Sequence, residues 1–378
     1  MAPMSEGRLQ VLIAGSPAGP LVAGLPPAVR AAHRAAAELS RLRILFCGRD
    51  AAFQRRWRRQ LAGCSAACID GQPAAAVLDA QGPLLVLSAA GFPEPEALRR
   101  FVARAAAESR ATRWVCDGRP VAAYFPTAAP LLAGDCADVA LRALQDESPA
   151  EPVKSPGWVA ADDAGSAAAA ERLLFAALPK DTDGYLARYD RRLSIALSSV
   201  LLRWPVTPNA ITTASLALGL LGAWWLASGS YAETVAGALL LWFCCLLDGC
   251  DGEVARLKLL CSPTGAAYDL AADHLSHLAT FIAIPVAVHR AHPQADLWPP
   301  GILLISGFLA CLFTVWYLVL RKPESERGPY ALVIERVASR DYVYLIVALA
   351  LIGRLEWFLY AAAVGSHLFW IALWLLPV

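Results

Sequence analysis

Residues 248–273 read DGCDGEVARLKLLCSPTGAAYDLAAD, and this stretch decides how the rest of the chain is understood. Four aspartates, Asp248, Asp251, Asp269 and Asp273, stand in otherwise apolar surroundings. They are spaced Asp-x-x-Asp-Gly-x-x-Ala-Arg, eight residues, then Gly-x-x-x-Asp-x-x-x-Asp. A carboxylate near hydrocarbon costs roughly 2.5–3.5 kcal/mol on insertion scales, and several together also repel one another. Such a cluster persists only around something cationic, and a divalent metal is the simplest occupant.

Residues three or four apart share a helix face. Asp248 and Asp251 therefore project together from the end of one helix, and Gly265, Asp269 and Asp273 from the start of the next. Ser262, Pro263 and Thr264 supply the turn and a cap between them. Four carboxylates on two facing helices make a hard-oxygen site suited to Mg²⁺ or Mn²⁺. Metal beside Arg256 and Lys258 at a membrane surface points to phosphate or diphosphate chemistry, in which a spare carboxylate can take a proton from an attacking hydroxyl. Two other readings are solvated charges at helix ends, and an ion pathway in a transporter or membrane scaffold. Four aspartates at helical spacing with glycines and arginine interleaved disfavour the first. Their place at a helix end rather than mid-membrane disfavours the second.

Working outward, the chain has 378 residues, 57% of them hydrophobic and only 17% charged. Soluble domains carry about 25% charged residues, so a large membrane part is implied. A net charge of +1 makes no case for nucleic acid as a partner. The ten cysteines lack zinc spacing and need no disulfide framework. No basic segment precedes a cleavable apolar core at the N-terminus, so no signal peptide is expected.

Residues 1–178 alternate strand-like and helical runs. Val11–Ala14, Arg43–Cys47, Leu84–Leu87 and Trp114–Cys116 read as strands, and Pro27–Leu39 and Pro95–Glu108 as helices. Asp117-Gly118 before Val121–Phe125 reads as a hairpin turn. The expectation is a soluble α/β domain with a mainly parallel sheet, closed by a helix over Ala167–Leu178. From 179 to 378 the expectation is an all-α membrane domain. Tyr185–Leu202, with Arg188, Arg191 and Arg192 beside leucines, fits an amphipathic surface helix. Six apolar stretches follow: Asn209–Ala227, Ala232–Leu247, Ala266–Val288, Gly301–Leu320, Tyr342–Ile352 and Trp357–Leu376. The second reaches spanning length only by continuing through the aspartates to about Leu257. Arg203, Arg256, Lys258, Arg321, Lys322, Arg327, Arg336 and Arg340 gather on one side, against Arg290 and Arg354 on the other. The positive-inside rule then puts the aspartates and the front domain on the cytoplasmic side.

Asp248 through Asp273 resembles the complete motif of the CDP-alcohol phosphotransferases. That resemblance implies six transmembrane helices behind a surface helix, and metal-dependent transfer of a substituted phosphate from a CDP-alcohol to a hydroxyl with release of CMP. It implies Asp248, Asp251, Asp269 and Asp273 as metal ligands, with Asp273 also the general base. Gly252, Ala255, Arg256 and Gly265 would line the cytidine-diphosphate site. Thr207-Pro208-Asn209 and Thr212 resemble the segment beside the nucleotide. Members of the family commonly form homodimers.

A second resemblance concerns the branch. Asp183-Gly184, Arg188, Arg191-Arg192, Ser194 and Glu253 look like the inositol-phosphate branch, which implies an inositol phosphate or similar polyol as acceptor. Glycerol phosphate, serine or another alcohol stays open. Arg321, Lys322, Arg327 and Arg336 are candidates for binding a phosphorylated acceptor, or else basic residues meeting anionic lipid. In that branch the front domain resembles a nucleotidyltransferase. Here Ala14–Leu21 lacks the basic pair of its nucleotide loop, Ser88-Ala89-Ala90 stands where a metal-binding aspartate is expected, and Ala160 replaces the first aspartate of a Trp-x-Asp-x-Asp segment. The resemblance therefore implies a degenerate, inactive relative.

Overall fold

The computed structural model describes residues 9–14, 20–40, 42–47, 51–62, 64, 66–69, 72–116, 118–145, 150–152, 157–179, 187–321 and 342–375. Its contacts divide the chain into two units, Met1–Ala176 with Leu257–Leu260, and Ala177–Arg256 with Cys261–Val378.

In the first unit the strands are β1 (Leu9–Ala14), β2 (Leu42–Cys47), β3 (Ala66–Ile69), β4 (Leu84–Ser88), β5 (Gly91–Pro93), β6 (Thr112–Cys116), β7 (Arg119–Phe125), β8 (Ala150–Pro152) and β9 (Trp158–Ala160). The helices are α1 (Pro27–Glu38), α2 (Ala51–Arg56), α3 (Arg58–Leu61), α4 (Ala74–Val77), α5 (Pro95–Glu108), α6 (Cys136–Gln145) and α7 (Ala164–Ala176). Seven strands form one sheet in the order β3-β2-β1-β4-β7-β6-β8. Side chains alternate across a strand, and both faces are apolar. Val11, Ile13, Ile44, Phe46, Leu85 and Leu87 pack with α1 and α5, whereas Leu12, Leu45, Leu84 and Val86 pack with α6. Burial on both faces accounts for the unbroken apolar runs that mark these strands in the sequence.

The sheet is mainly parallel, as expected, with an antiparallel strand set into it. β3, β2, β1 and β4 are parallel neighbours, but β7 runs antiparallel to both β4 and β6. The turn before Val121 joins β6 to β7 as a hairpin, and a short connection forces antiparallel pairing. β5 and β9 form a separate antiparallel pair with Gly91 opposite Ala160. A Cβ at Gly91 would lie 2.4 Å from the Val159 carbonyl, so this approach requires glycine.

The second unit is helical. Its elements are α8 (Ala187–Leu201), α9 (Pro208–Leu226), α10 (Tyr231–Leu257), α11 (Pro263–Ala291), α12 (Trp298–Val315, continued by a π-turn over Trp316–Leu320), α13 (Tyr342–Leu351) and α14 (Leu355–Leu375). Among the described residues, five helices are long and apolar enough to cross a membrane, and α13 is a shorter apolar helix of ten described residues. The chain is a multi-pass membrane protein with five such helices among the described residues, against the six expected. α10 does continue through the aspartates to Leu257. Outward-facing Trp224, Ile302, Leu368 and Leu375 are exposed, the surface hydrocarbon accepts. α9 and α10 approach through Gly222 and Gly237, where a Cβ at 237 would meet the Leu226 backbone at 2.4 Å. Small residues are how membrane helices gain packing where lipid supplies no hydrophobic drive.

Candidate active site

Two caps set the ends of the helices that carry the site. Thr207 Oγ1 accepts the Ala210 N–H at 3.3 Å, with Pro208 in the first turn of α9. Ser262 Oγ accepts the Gly265 N–H at 3.0 Å, with Pro263 opening α11. Serine or threonine as cap followed by proline fixes a helix start. The sequence expectation for Ser262–Thr264 is therefore met.

On α10 and α11, Asp248, Asp251 and Asp269 each offer a carboxylate oxygen, and these oxygens lie within 4.8 Å of one another. Asp248 and Asp251 are each only 5% exposed. Thr212 of α9 donates to Asp251 Oδ2, so a third helix reaches the cluster. Asn209 sits on the first turn of α9 close to Gly265, where a Cβ would come 3.4 Å from Asn209 Oδ1 and 2.9 Å from Ser262 Oγ. A Cβ at Gly252 would meet the Arg256 guanidinium at 3.8 Å, an ordinary van der Waals distance. Ala255 is half-buried and Arg256 exposed.

Asp273 lies one turn beyond Asp269 and is not part of the convergent trio. It borders a small cavity with Asp248, Ser276, His277 and Tyr342. Arg321 is exposed, its guanidinium 5.7 Å from the centre of the Tyr317 ring. Lys322, Arg327 and Arg336 lie outside the described residues, as do Asp183, Gly184 and the Gly15–Gly19 segment.

Sequence reasoning missed the setting of Glu253. This carboxylate is fully buried and accepts hydrogen bonds from Ser194 Oγ at 2.6 Å, Ser198 Oγ at 2.7 Å and Arg191 Nη1 at 3.1 Å. All three donors belong to α8, so α8 is fastened to the helix bearing Asp248 and Asp251. Asp190 of α8 also accepts from Tyr344 of α13. The i, i+4 serines of α8 were the available sign. His277 and Tyr342, beside Asp273, were also missed; His277 follows Asp273 at helical spacing.

Three buried or half-buried carboxylates with converging oxygens fit a divalent cation, because oxygen-only donors of like charge suit hard metals. In the first unit, Ala161 N–H donates to the Ala90 carbonyl at 2.7 Å. The end of β4 and the residue after Ala160 are thus neighbours, and neither Ser88-Ala89-Ala90 nor Ala160 brings a carboxylate there.

Comparison with known proteins places most of the second unit. Residues 205–377 match the family described as CDP-alcohol phosphatidyltransferase. A bifunctional IPC transferase and DIPP synthase of Rubrobacter xylanophilus is 35% identical over 112 residues, covering 28% of this chain and 24% of that protein. The protein of the same description from Archaeoglobus fulgidus is 28% identical over 217 residues, 55% of this chain and 42% of its own. The chain thus spans less than half the length of these relatives. Among solved structures, apo phosphatidylinositol phosphate synthase (PgsA1) of Mycobacterium tuberculosis matches at 25% identity and a TM-score of 0.31, covering 48% of this chain and 95% of that one.

Proposed function

We propose, from the premise that residues 205–377 form a domain of the CDP-alcohol phosphatidyltransferase family, that the chain transfers a substituted phosphate from a CDP-alcohol to an acceptor hydroxyl and releases CMP. The observation that carries this reading is the convergence of Asp248, Asp251 and Asp269, with Asp273 bordering the same interior. Asp248, Asp251 and Asp269, together with Asp273, would hold Mg²⁺ or Mn²⁺. When bound, the metal neutralises charge on the diphosphate and its leaving group.

The remaining work falls to side chains. Asp273 accepts the proton of the attacking hydroxyl, a step that contributes about 10²–10⁴-fold where the base is well placed. Thr212 orients Asp251 through its hydrogen bond. Gly252 and Gly265 leave room for the nucleotide, Asn209 and Ala255 border it, and Arg256 offsets charge on its phosphates. Glu253 holds α8 in register with α10. The acceptor's oxygen forms the new bond to phosphorus as the bond to CMP breaks, and no covalent enzyme intermediate is required.

The resemblance to the inositol-phosphate branch makes an inositol phosphate one acceptor to test, with Arg321, Lys322, Arg327 and Arg336 as its candidate phosphate contacts. The excess of basic residues on the side of the aspartates supports a cytoplasmic active site and front domain, and family habit supports a homodimer. Residues 1–178 are read as an inactive nucleotidyltransferase relative that serves structure or regulation. The test is CMP release by the purified full chain with Mg²⁺, CDP-alcohols and a panel of acceptors. The reading fails if no pair releases CMP and the Asp273→Asn variant is indistinguishable from wild type.

A further inference from the structure

We propose that the first unit positions the metal site. Arg30 and the apolar cluster of α1 and α5 hold the connection between α10 and α11, and with it the spacing of Asp248 and Asp251 from Asp269. The proposal rests on the metal reading of that trio above.

α10 ends at Leu257 and α11 begins at Pro263, so residues 258–262 join the two helices that carry the carboxylates. Asp251 stands less than two turns before Leu257, and Asp269 less than two turns after Pro263. Leu257–Leu260 pack as part of the first unit, far from it in sequence. Two contacts account for this. Arg30 on α1 is buried, 4% exposed, and its Nη2 donates to the Leu257 carbonyl at 2.7 Å. The same guanidinium donates to the Val22 carbonyl, through Nε at 3.1 Å and Nη2 at 2.8 Å. Val22 and Leu25 close a tight turn by paired backbone hydrogen bonds, so Arg30 ties that turn to the end of α10. Carbonyls of a helix's last turn lack partners within the helix and carry the negative end of its dipole. A buried cation answers both needs, and a planar guanidinium reaches two carbonyls where an ammonium offers one point. Burial pulls the Arg30 pKa down to about 10, which leaves it charged at neutral pH.

Leu259 makes the second contact. Just past the end of α10 its backbone takes a φ of 54°, the left-handed conformation in which many helices end and which glycine adopts freely. Leucine there meets a steric cost, and such a conformation persists where the surroundings over-determine it. The Leu259 side chain packs against the first unit's cluster that includes Val22, Ala28 and Leu98. Glycine would end α10 with less strain, whereas leucine ends it with an anchor. Metal-binding carboxylates need support that holds them close to the productive geometry. A connection fixed at both Leu257 and Leu259 gives that support to the helices on either side of it.

The test uses the full chain in detergent and two readouts: Mn²⁺ titration followed by electron paramagnetic resonance, and amide exchange over residues 257–262 without metal. Arg30→Met keeps the bulk and removes the donors; Leu259→Gly keeps the left-handed turn and removes the anchor. Each is expected to speed exchange over 257–262 and to raise the Mn²⁺ Kd about tenfold or more, the scale of losing a support outside the metal's own ligands. Arg30→Lys should recover part of the affinity. Ser166→Ala, which alters the start of α7 instead, should bind Mn²⁺ as wild type does. Faster exchange with wild-type Mn²⁺ affinity in both Arg30→Met and Leu259→Gly overturns the proposal, as does unchanged exchange in both. Equal weakening by Ser166→Ala overturns it too, because any loosening of the first unit would then suffice. If Arg30→Met fails to fold, Leu259→Gly decides alone. Wild type that binds no Mn²⁺ removes the metal reading itself, and this proposal with it.

Discussion

The two units bury opposite things. Among the described residues of the α/β unit, only Gln10, Arg30 and Thr112 are buried polar groups, and its core is aliphatic and aromatic. The helical unit exposes large apolar side chains such as Trp224 and Leu375, and it buries Asp248, Asp251 and Glu253 with Ser194, Ser198, Thr212 and Ser276. A core of the first kind specifies a fold. Buried carboxylates of the second kind are costly and persist where a cation or a donor network holds them. Charge that a membrane unit takes inward is thus the best guide to its chemistry.

The largest effect should come from breaking the trio. Asp251→Ala is expected to abolish CMP release, beyond the roughly 10–100-fold cost of changes outside a metal's own ligands. A variant within tenfold of wild type would mean the cluster is not the reaction centre. Asp273→Asn should lower kcat by about 10²–10⁴-fold while nucleotide binding, read by calorimetry with CMP, is retained. Loss of CMP binding with unchanged kcat would assign Asp273 to the nucleotide instead.

Glu253→Ala sharpens the comparison by leaving Arg191, Ser194 and Ser198 without their shared acceptor. Breaking a buried pair costs about 3–5 kcal/mol, and Arg191, 21% exposed, places this case at the lower end. Thermal unfolding in detergent should show it, and an unshifted midpoint would mean that α8 is held by other contacts.

The smallest effect belongs to the start of α7. Ser166 holds the carboxyls of both Asp162 and Asp163 below the usual carboxylate range, through its hydroxyl and its backbone N–H respectively, with Arg119 adding to the effect on Asp162. A carboxyl depressed in the folded state stabilises above its unfolded pKa, and that stabilisation fades as pH falls through the folded value. Ser166→Ala should therefore speed amide exchange at the start of α7 near pH 7 and have little effect near pH 3. It should leave CMP release unchanged, and a loss of activity would tie the front unit to catalysis.

Much of this was legible in the sequence because its periods are short. The i, i+3 and i, i+4 aspartates placed the site on two helices, and Ser262-Pro263 marked the start of the second. The parting of Asp273 from the trio was not legible from shared faces alone. The partners of Glu253 lie 55 to 62 residues away and depend on packing that no local pattern records. The antiparallel β7 follows from the short turn after β6, which leaves no room for the crossover that parallel strands need.

The central claim is that Asp248, Asp251 and Asp269 hold a divalent cation, and Mn²⁺ titration of the full chain followed by electron paramagnetic resonance tests it most directly. The account predicts bound Mn²⁺ in wild type that is lost in Asp248→Asn and Asp251→Asn, with both variants still folded by circular dichroism. Equal Mn²⁺ binding by wild type and both variants would contradict it.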